Sequence, residues 1–259
     1  MPEKRTEIRL SDLQQAILRQ AYTDMVTAEV IQRRYFSDGS IEAARSAIRR
    51  LCGEPPTYLY LQPEPLDERR VYYRLTQAGA KLLGVSPKCA VPLKRQGKVS
   101  RYALSWFIHA EQPGKRALIN PHDFPDEFGL NAHRLPRHPF FLDETTGRTK
   151  LGIVLIDHNA HARRVVHKTL KPIGRFLRHG WFNDLIRGEC FLVVVLTFSF
   201  GHKKAVERFV TPAIAQHFRQ PLSRLRPDLT DHLPIEIQVR VIPGMDAIVT
   251  PLPKRKAEQ

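Results

Sequence analysis

The run Phe191-Leu-Val-Val-Val-Leu-Thr-Phe198 leaves little freedom in how the chain folds. It is continuously apolar and rich in β-branched side chains, as a strand buried on both faces at the centre of a sheet would be. Extended back to Cys190 it is the longest apolar stretch of the sequence, and it is far too short to span a bilayer. Ile235-Glu-Ile-Gln-Val-Arg-Val-Ile242 alternates instead, which marks a half-buried strand. Pro139-Phe-Phe-Leu142 and Leu151-Gly-Ile-Val-Leu-Ile156 read as paired strands joined by a turn over Asp143 to Lys150, and Ala117-Leu-Ile119 as a brief strand. Tyr102 to His109 suits a short helix or strand. Residues 160–187 read as helical with a break at Pro172, and His202 to Phe218 as a helix kinked at Pro212.

The first 90 residues have a different grain. Leu10, Leu13, Ala16, Ile17 and Ala21 recur at helical spacing behind Ser11, giving a helix over 9–23. A second, short helix spans 27–36, capped by Thr27. Ser37, Asp38 and Gly39 make a turn. Ser40 then caps a third helix over 41–52, whose apolar face is Ile41, Ala44, Ala47, Ile48 and Leu51, with Arg45, Ser46, Arg49 and Arg50 off that face. Thr57-Tyr-Leu-Tyr-Leu61 and Arg69-Arg-Val-Tyr-Tyr-Arg-Leu75 carry aromatic and β-branched residues at strand density, with Gln62 to Glu68 as the hairpin loop. Thr76 caps a helix over Gln77 to Leu83 that ends at Gly84. Val85 to Ser100 reads as linker. The domains are therefore 1–90, a linker at 91–100, 101–250 and a basic tail at 251–259.

Charge narrows the class of partner. Lys and Arg number 41 against 26 Asp and Glu, a formal +15. Such a balance favours a polyanion, because neutralising phosphates releases counterions. Residues 1–90 carry a net +3, 91–150 a net +4 and 151–259 a net +8, so the C-terminal part is the more basic. Cys52, Cys89 and Cys190 are too few and too dispersed for a zinc ribbon or a disulfide framework, which fits reducing cytosol. Met1 to Leu10 is charged and lacks the apolar core of a signal peptide. A cytoplasmic, nucleoid-associated protein with no membrane partner and no cofactor is expected.

The order helix, helix, helix, strand, loop, strand, helix over residues 9–84 resembles the winged helix-turn-helix fold. Tyr73-Arg-Leu-Thr-Gln-Ala-Gly-Ala-Lys-Leu-Leu-Gly84 looks like the strand-to-helix junction that closes the wing in bacterial regulators of that family. The resemblance implies that the third helix enters the major groove with Arg45, Ser46 and Arg49, close to Ser40 and Arg50. Arg33 and Arg34 would hold phosphates, and Arg69 and Arg70 would approach DNA from the base of the second wing strand. Glu64, Asp67 and Glu68 in the wing loop argue that the tip itself avoids the phosphates.

The C-terminal order of helix, three strands, helix, strand, helix, strand is similar to the restriction-endonuclease-like, PD-(D/E)xK core. The combination with a winged helix resembles replication-relaxation-type proteins of plasmids and other mobile elements. That family's chemistry needs an acid on the second core strand and an acid, spacer, acid-or-lysine triplet on the third. The matching positions are Asp143 and Asp157-His158-Asn159, where no lysine closes the triplet and Lys168 would have to reach back from the next helix. This implies an α+β protein with a mixed sheet and a non-catalytic C-terminal domain; a metal-dependent nuclease using Asp143, Asp157 and Lys168 is the alternative. The spacing of His158 and His161 would let them share a metal with Asp157, but histidines so placed are more often surface residues flanking a strand end, and no metal is expected. Arg164, Lys168, Lys171, Arg175 and Arg178 recur as one stripe opposite Val166, Leu170, Ile173 and Leu177, a second surface for nucleic acid. The expected partners are double-stranded DNA and a second copy of the chain in a homodimer, or a larger nucleoprotein assembly. The expected role is transcriptional repression or replication control on a bacterial mobile element.

Overall fold

The computed structural model describes residues 10–36, 39–55, 58–119, 139–158, 162, 164–165, 167–168, 180–225 and 235–249. It is an α+β protein that divides into two units, 1–105 and 106–259.

In the first unit α1 (Asp12–Thr23) starts at a capping box, in which Ser11 accepts from the Gln14 amide and the Gln14 side chain accepts from the Ser11 amide. Thr27 caps α2 (Ala28–Tyr35) by accepting from the Val30 amide. Ser40 holds the cap position of α3 (Ile41–Cys52), but its hydroxyl makes no capping hydrogen bond. The inward residues Ile17, Leu18, Val26, Ile31, Ala44, Ile48 and Leu51 form one core with Leu61 and Leu75.

The hairpin differs from the sequence expectation. Its strands are β1 (Leu61–Pro65) and β2 (Val71–Leu75), so the stretch expected to be loop is largely strand, while Tyr58 to Tyr60 lie before it. Two prolines sit in β1 without penalty because backbone bonding alternates along an antiparallel pair. Leu66 donates to Arg70 O, which places Pro63 and Pro65 at the non-bonding positions between, where no N–H is required. On its other edge β2 is bridged by Val26, whose carbonyl accepts from the Tyr73 amide at 2.8 Å. The helix α4 (Gln77–Leu82) starts at Thr76, which accepts from the Gly79 amide, and Gly84 follows it with φ +67°, a left-handed conformation suited to glycine.

The linker expectation is corrected. Pro87–Ala90 forms a 3-10 turn, and Arg95–Ser105 forms α5, with Val99, Tyr102 and Ala103 buried. Four cations and Gly97 in residues 94–101 disguised it as linker.

The second unit opens with a π-helical turn over Trp106–Ala110 and is built on one mixed sheet. Its strands are β3 (Arg116–Ile119), β4 (Phe140–Asp143), β5 (Lys150–Ile156), β6 (Phe191–Thr197) and β7 (Glu236–Val241), in spatial order β3-β4-β5-β6-β7. The first three run antiparallel as a meander, and β5, β6 and β7 are parallel. Every residue of β6 is buried, as its composition demanded: Phe191, Val193 and Val195 join the main core, and Leu192, Val194 and Leu196 point to the opposite face. Ala162, Val165, Ile186, Val206 and Val210 cover the main-core face from helical segments, including α6 (Gly180–Arg187) and α7 (Phe200–Leu225). A short α8 (Met245–Val249), unanticipated from the sequence, buries Met245, Ile248 and Val249.

Candidate nucleic-acid interface

The amphipathic division of α3 decides what the first unit displays. Ala44, Ile48 and Leu51 are fully buried, so the helix is fixed with its opposite side outward. Arg45, Arg49 and Arg50 stand on that outer side, and Ser46 is half-buried at its margin. Glu42, which a search for cations alone passes over, joins the same surface. Arg45 Nη1 lies 2.5 Å from Glu42 Oε1 and Arg49 Nη2 lies 3.3 Å from Oε2. Exposed Ser40 stands at the start of this surface. Arg33 and Arg34 are exposed in the last turn of α2, where Arg34 donates to Gln20 Oε1 at 2.9 Å and lies over the Tyr35 ring.

Two arginines expected to act together separate at the hairpin. Both precede β2 and lie in its loop, not at the base of the strand. Arg69 is exposed. Arg70 is turned inward: Nε donates to Asp67 Oδ2 at 2.6 Å, Nη1 donates to Tyr102 Oη at 2.7 Å, and the guanidinium lies over the Tyr102 ring at 4.8 Å. Burial pushes the Tyr102 hydroxyl up to about 12, so it accepts as a neutral phenol. Arg70 is thus engaged within the fold, between Asp67 and Tyr102. The acids of the loop change meaning as well. Asp67 takes the Arg69 and Arg70 amides on Oδ1, and although burial opposes its charge, those bonds and the Arg70 guanidinium hold its carboxyl below the usual range. Glu64 pairs with Arg74 at 2.8 Å. Of the three acids, only Glu68 is exposed.

In the second unit Arg164 and Lys168 are exposed at helical positions one turn apart, while Ala162 and Val165 are buried. Lys171, Arg175 and Arg178, and the apolar positions Val166, Leu170, Ile173 and Leu177, lie outside the described residues, as do Asn159 and His161.

The candidate nuclease acids are not brought together. Asp143 ends β4 and opposes Lys150, the first residue of β5, whereas Asp157 follows the last residue of β5. Seven residues of strand separate these ends, roughly 20 Å at ~3.3 Å per residue. On the Asp157 side β4 is preceded by Pro139, whose carbonyl accepts from the Val154 amide. Asp143 serves Arg116 instead: Arg116 Nε donates to Asp143 Oδ2 at 2.9 Å, Nη1 reaches Glu111 and the Phe107 carbonyl, and the guanidinium stacks on the Phe107 ring at 3.9 Å.

Asp157 has its own neighbours at the carboxyl ends of the parallel strands. His202 Nε2, from the first turn of α7, lies 2.6 Å from Oδ2 without forming a hydrogen bond, and Thr197 donates weakly at 3.5 Å. The His202 ring stacks on Phe198. Burial, reinforced by the Lys168 charge, lowers the pKa of neighbouring His158 and favours a neutral imidazole. Among the described residues no three His, Cys, Asp or Glu side chains gather as a metal site, and no helix is long and apolar enough to cross a membrane.

No family model, curated protein or solved structure matches this chain.

Proposed function

We propose that this protein binds double-stranded DNA sequence-specifically, with α3 as the helix that enters the major groove. The observation that carries this is the division of α3: Ala44, Ile48 and Leu51 are sealed into the core, and Arg45, Arg49 and Arg50 face outward along two turns. A recognition helix needs that arrangement, since long donors must reach base edges while the other side anchors the helix. The surroundings support a winged helix. The Val26 bridge falls between α1 and α2 and bonds to the free edge of β2, so the chain between the first two helices is tied to the hairpin. With Arg70 and the acids Glu64 and Asp67 engaged internally, Arg69 is the wing's cation for phosphate.

The second unit reads as a restriction-endonuclease-like fold without its chemistry. Metal-assisted hydrolysis needs carboxylates close enough to share an ion, and Asp143 and Asp157 stand at opposite ends of the sheet. Arg164 and Lys168 add sequence-independent backbone contact. The role that fits is repression or replication control by a homodimer reading two half-sites.

The test is selection of bound duplexes from a random pool, followed by gel-shift titration of the enriched site. R45A/R49A should fold as the parent does and bind more weakly by roughly 1–3 kcal/mol per lost base contact. Equal affinity in parent and variant would remove α3 from the interface.

A further inference from the structure

One carboxylate stands between the two arginines of the outer face of α3. Glu42 holds Arg45 with one oxygen at 2.5 Å and Arg49 with the other at 3.3 Å. The three side chains are 59%, 50% and 69% exposed respectively, so the group is displayed to solvent and not locked into the fold. Glu42 is also the second residue of the helix, and the N-terminal residues of a recognition helix are those that reach base edges.

A carboxylate at that place has a restricted choice of partners. Phosphates repel it, so it gains nothing from the DNA backbone. Guanine O6 and N7, adenine N7 and thymine O4 are acceptors, as it is. The major-groove donors are cytosine N4 and adenine N6; adenine N6 stands beside the N7 acceptor, a pair that suits an amide side chain, whereas cytosine N4 suits a glutamate and O6 and N7 of guanine suit arginine. The same helix face therefore carries the acceptor for one base of a G·C pair and the donors for the other. Exposed ion pairs hold weakly, so the correct bases can displace them. Where no cytosine is presented, the carboxylate keeps both arginines engaged and meets the N7, O6 or O4 acceptors that the other bases carry.

We infer that Glu42 is a specificity-determining residue, and that it restricts α3 to a half-site containing G·C pairs by accepting from a cytosine amino group while releasing Arg45 and Arg49 to guanine. This rests on α3 being the DNA-reading helix. It accounts for an acid on a surface that a purely electrostatic grip would leave basic.

The experiment is duplex selection from a random pool, run with the full chain, E42Q, E42A and R45A/R49A. Glu42 is exposed, so both single variants should fold, with a melting temperature lowered only by the small loss of a first-turn acid. The parent should enrich a motif with cytosine and guanine at neighbouring positions. E42Q and E42A should still bind duplex but lose the preference at one cytosine, with discrimination there falling roughly tenfold. A parent motif of A·T pairs alone, or an unchanged motif in E42Q and E42A, overturns the role of Glu42; loss of enrichment in R45A/R49A then shows that α3 still reads DNA. No motif for the parent, or a motif that R45A/R49A leaves intact, overturns both the role of Glu42 and the reading of α3.

Discussion

Arg116 places a full charge where water barely reaches, with its side chain 1% exposed. It is tolerable only because Asp143, Glu111 and the Phe107 carbonyl and ring surround it. Removing the cation strands the buried Asp143 carboxylate, and breaking a buried pair from one side costs about 3–5 kcal/mol. R116M should therefore unfold at markedly lower urea than the parent at pH 7; a loss under 1 kcal/mol would show that water screens the pair. Asp143 adds a pH dependence. Burial opposes its charge, but the Thr145 hydroxyl and amide and the Arg116 guanidinium hold its carboxyl below the ordinary aspartate value of 3.8. A carboxyl depressed in the folded state stabilises it at every pH above the unfolded value, and that contribution is lost as pH falls through the folded one. D143N should be less stable than the parent at pH 7, and the difference should shrink as pH drops below 3.8 in urea titrations. Little of this was legible in the sequence. Asp143 looked like one of a pair of acids because type and order are visible along a chain, whereas strand direction decides at which end of the sheet each acid stands. Arg45 and Arg49 were legible because helical spacing alone puts them opposite Ala44, Ile48 and Leu51.

Elements with a strong period and a cap were readable to within a few residues. The helices α1, α2 and α3 follow from apolar spacing behind Ser11, Thr27 and Ser40. The strand β6 follows from an uninterrupted apolar run, and β7 from alternation. The strand β1 was missed because Pro63 and Pro65 argue against a strand unless the bonding register is known, and the aromatic Tyr58 to Tyr60 drew the assignment upstream. Close packing between elements is equally hidden. Phe141 and Gly152 are cross-strand partners on β4 and β5, and a Cβ on Gly152 would lie 2.3 Å from the Phe141 ring. That ring cannot swing aside, since it is fully buried and meets Phe107 edge-on at 5.1 Å between centroids. G152A should cost about 1–3 kcal/mol through overpacking. If the ring is the cause, the cost should largely vanish when G152A is made in an F141L background. Thermal melts of the four proteins give the comparison, and an equal penalty in both backgrounds would place the strain elsewhere.

At the scale of the whole molecule, the division at Ser105 and Trp106 makes α5 part of the first unit, where the sequence suggested a domain ending at residue 90. The contacts explain why α5 belongs there. Tyr102 is buried and accepts from Arg70, and without it the Arg70 guanidinium would lose both an acceptor and an aromatic face. Ser105 Oγ donates to the Met25 carbonyl at 2.8 Å, and Arg101 reaches the Tyr22 and Asp24 carbonyls, which ties α5 to the end of α1. Just ahead of α5, the Leu93 amide donates to Tyr72 Oη. Full burial of an aromatic or a valine contributes roughly 1.5–3 kcal/mol, and Tyr102 and Val99 are both buried. A small domain has only about 5–15 kcal/mol in total. A fragment ending at residue 90 loses a large part of that and exposes the side of β2 and the hairpin loop that α5 covers. The expectation is that residues 1–105 fold cooperatively when expressed alone, while residues 1–90 are expanded or melt at a much lower temperature. Circular dichroism melts and the dispersion of amide proton resonances distinguish the two. Because α3 lies entirely within this unit, the 1–105 fragment should also retain the base preference of the full chain on a selected duplex, with a shallower salt dependence, since Arg164 and Lys168 are absent. Cooperative melting of 1–90 at the temperature of 1–105 would show that α5 packs without stabilising, and would return the boundary to residue 90.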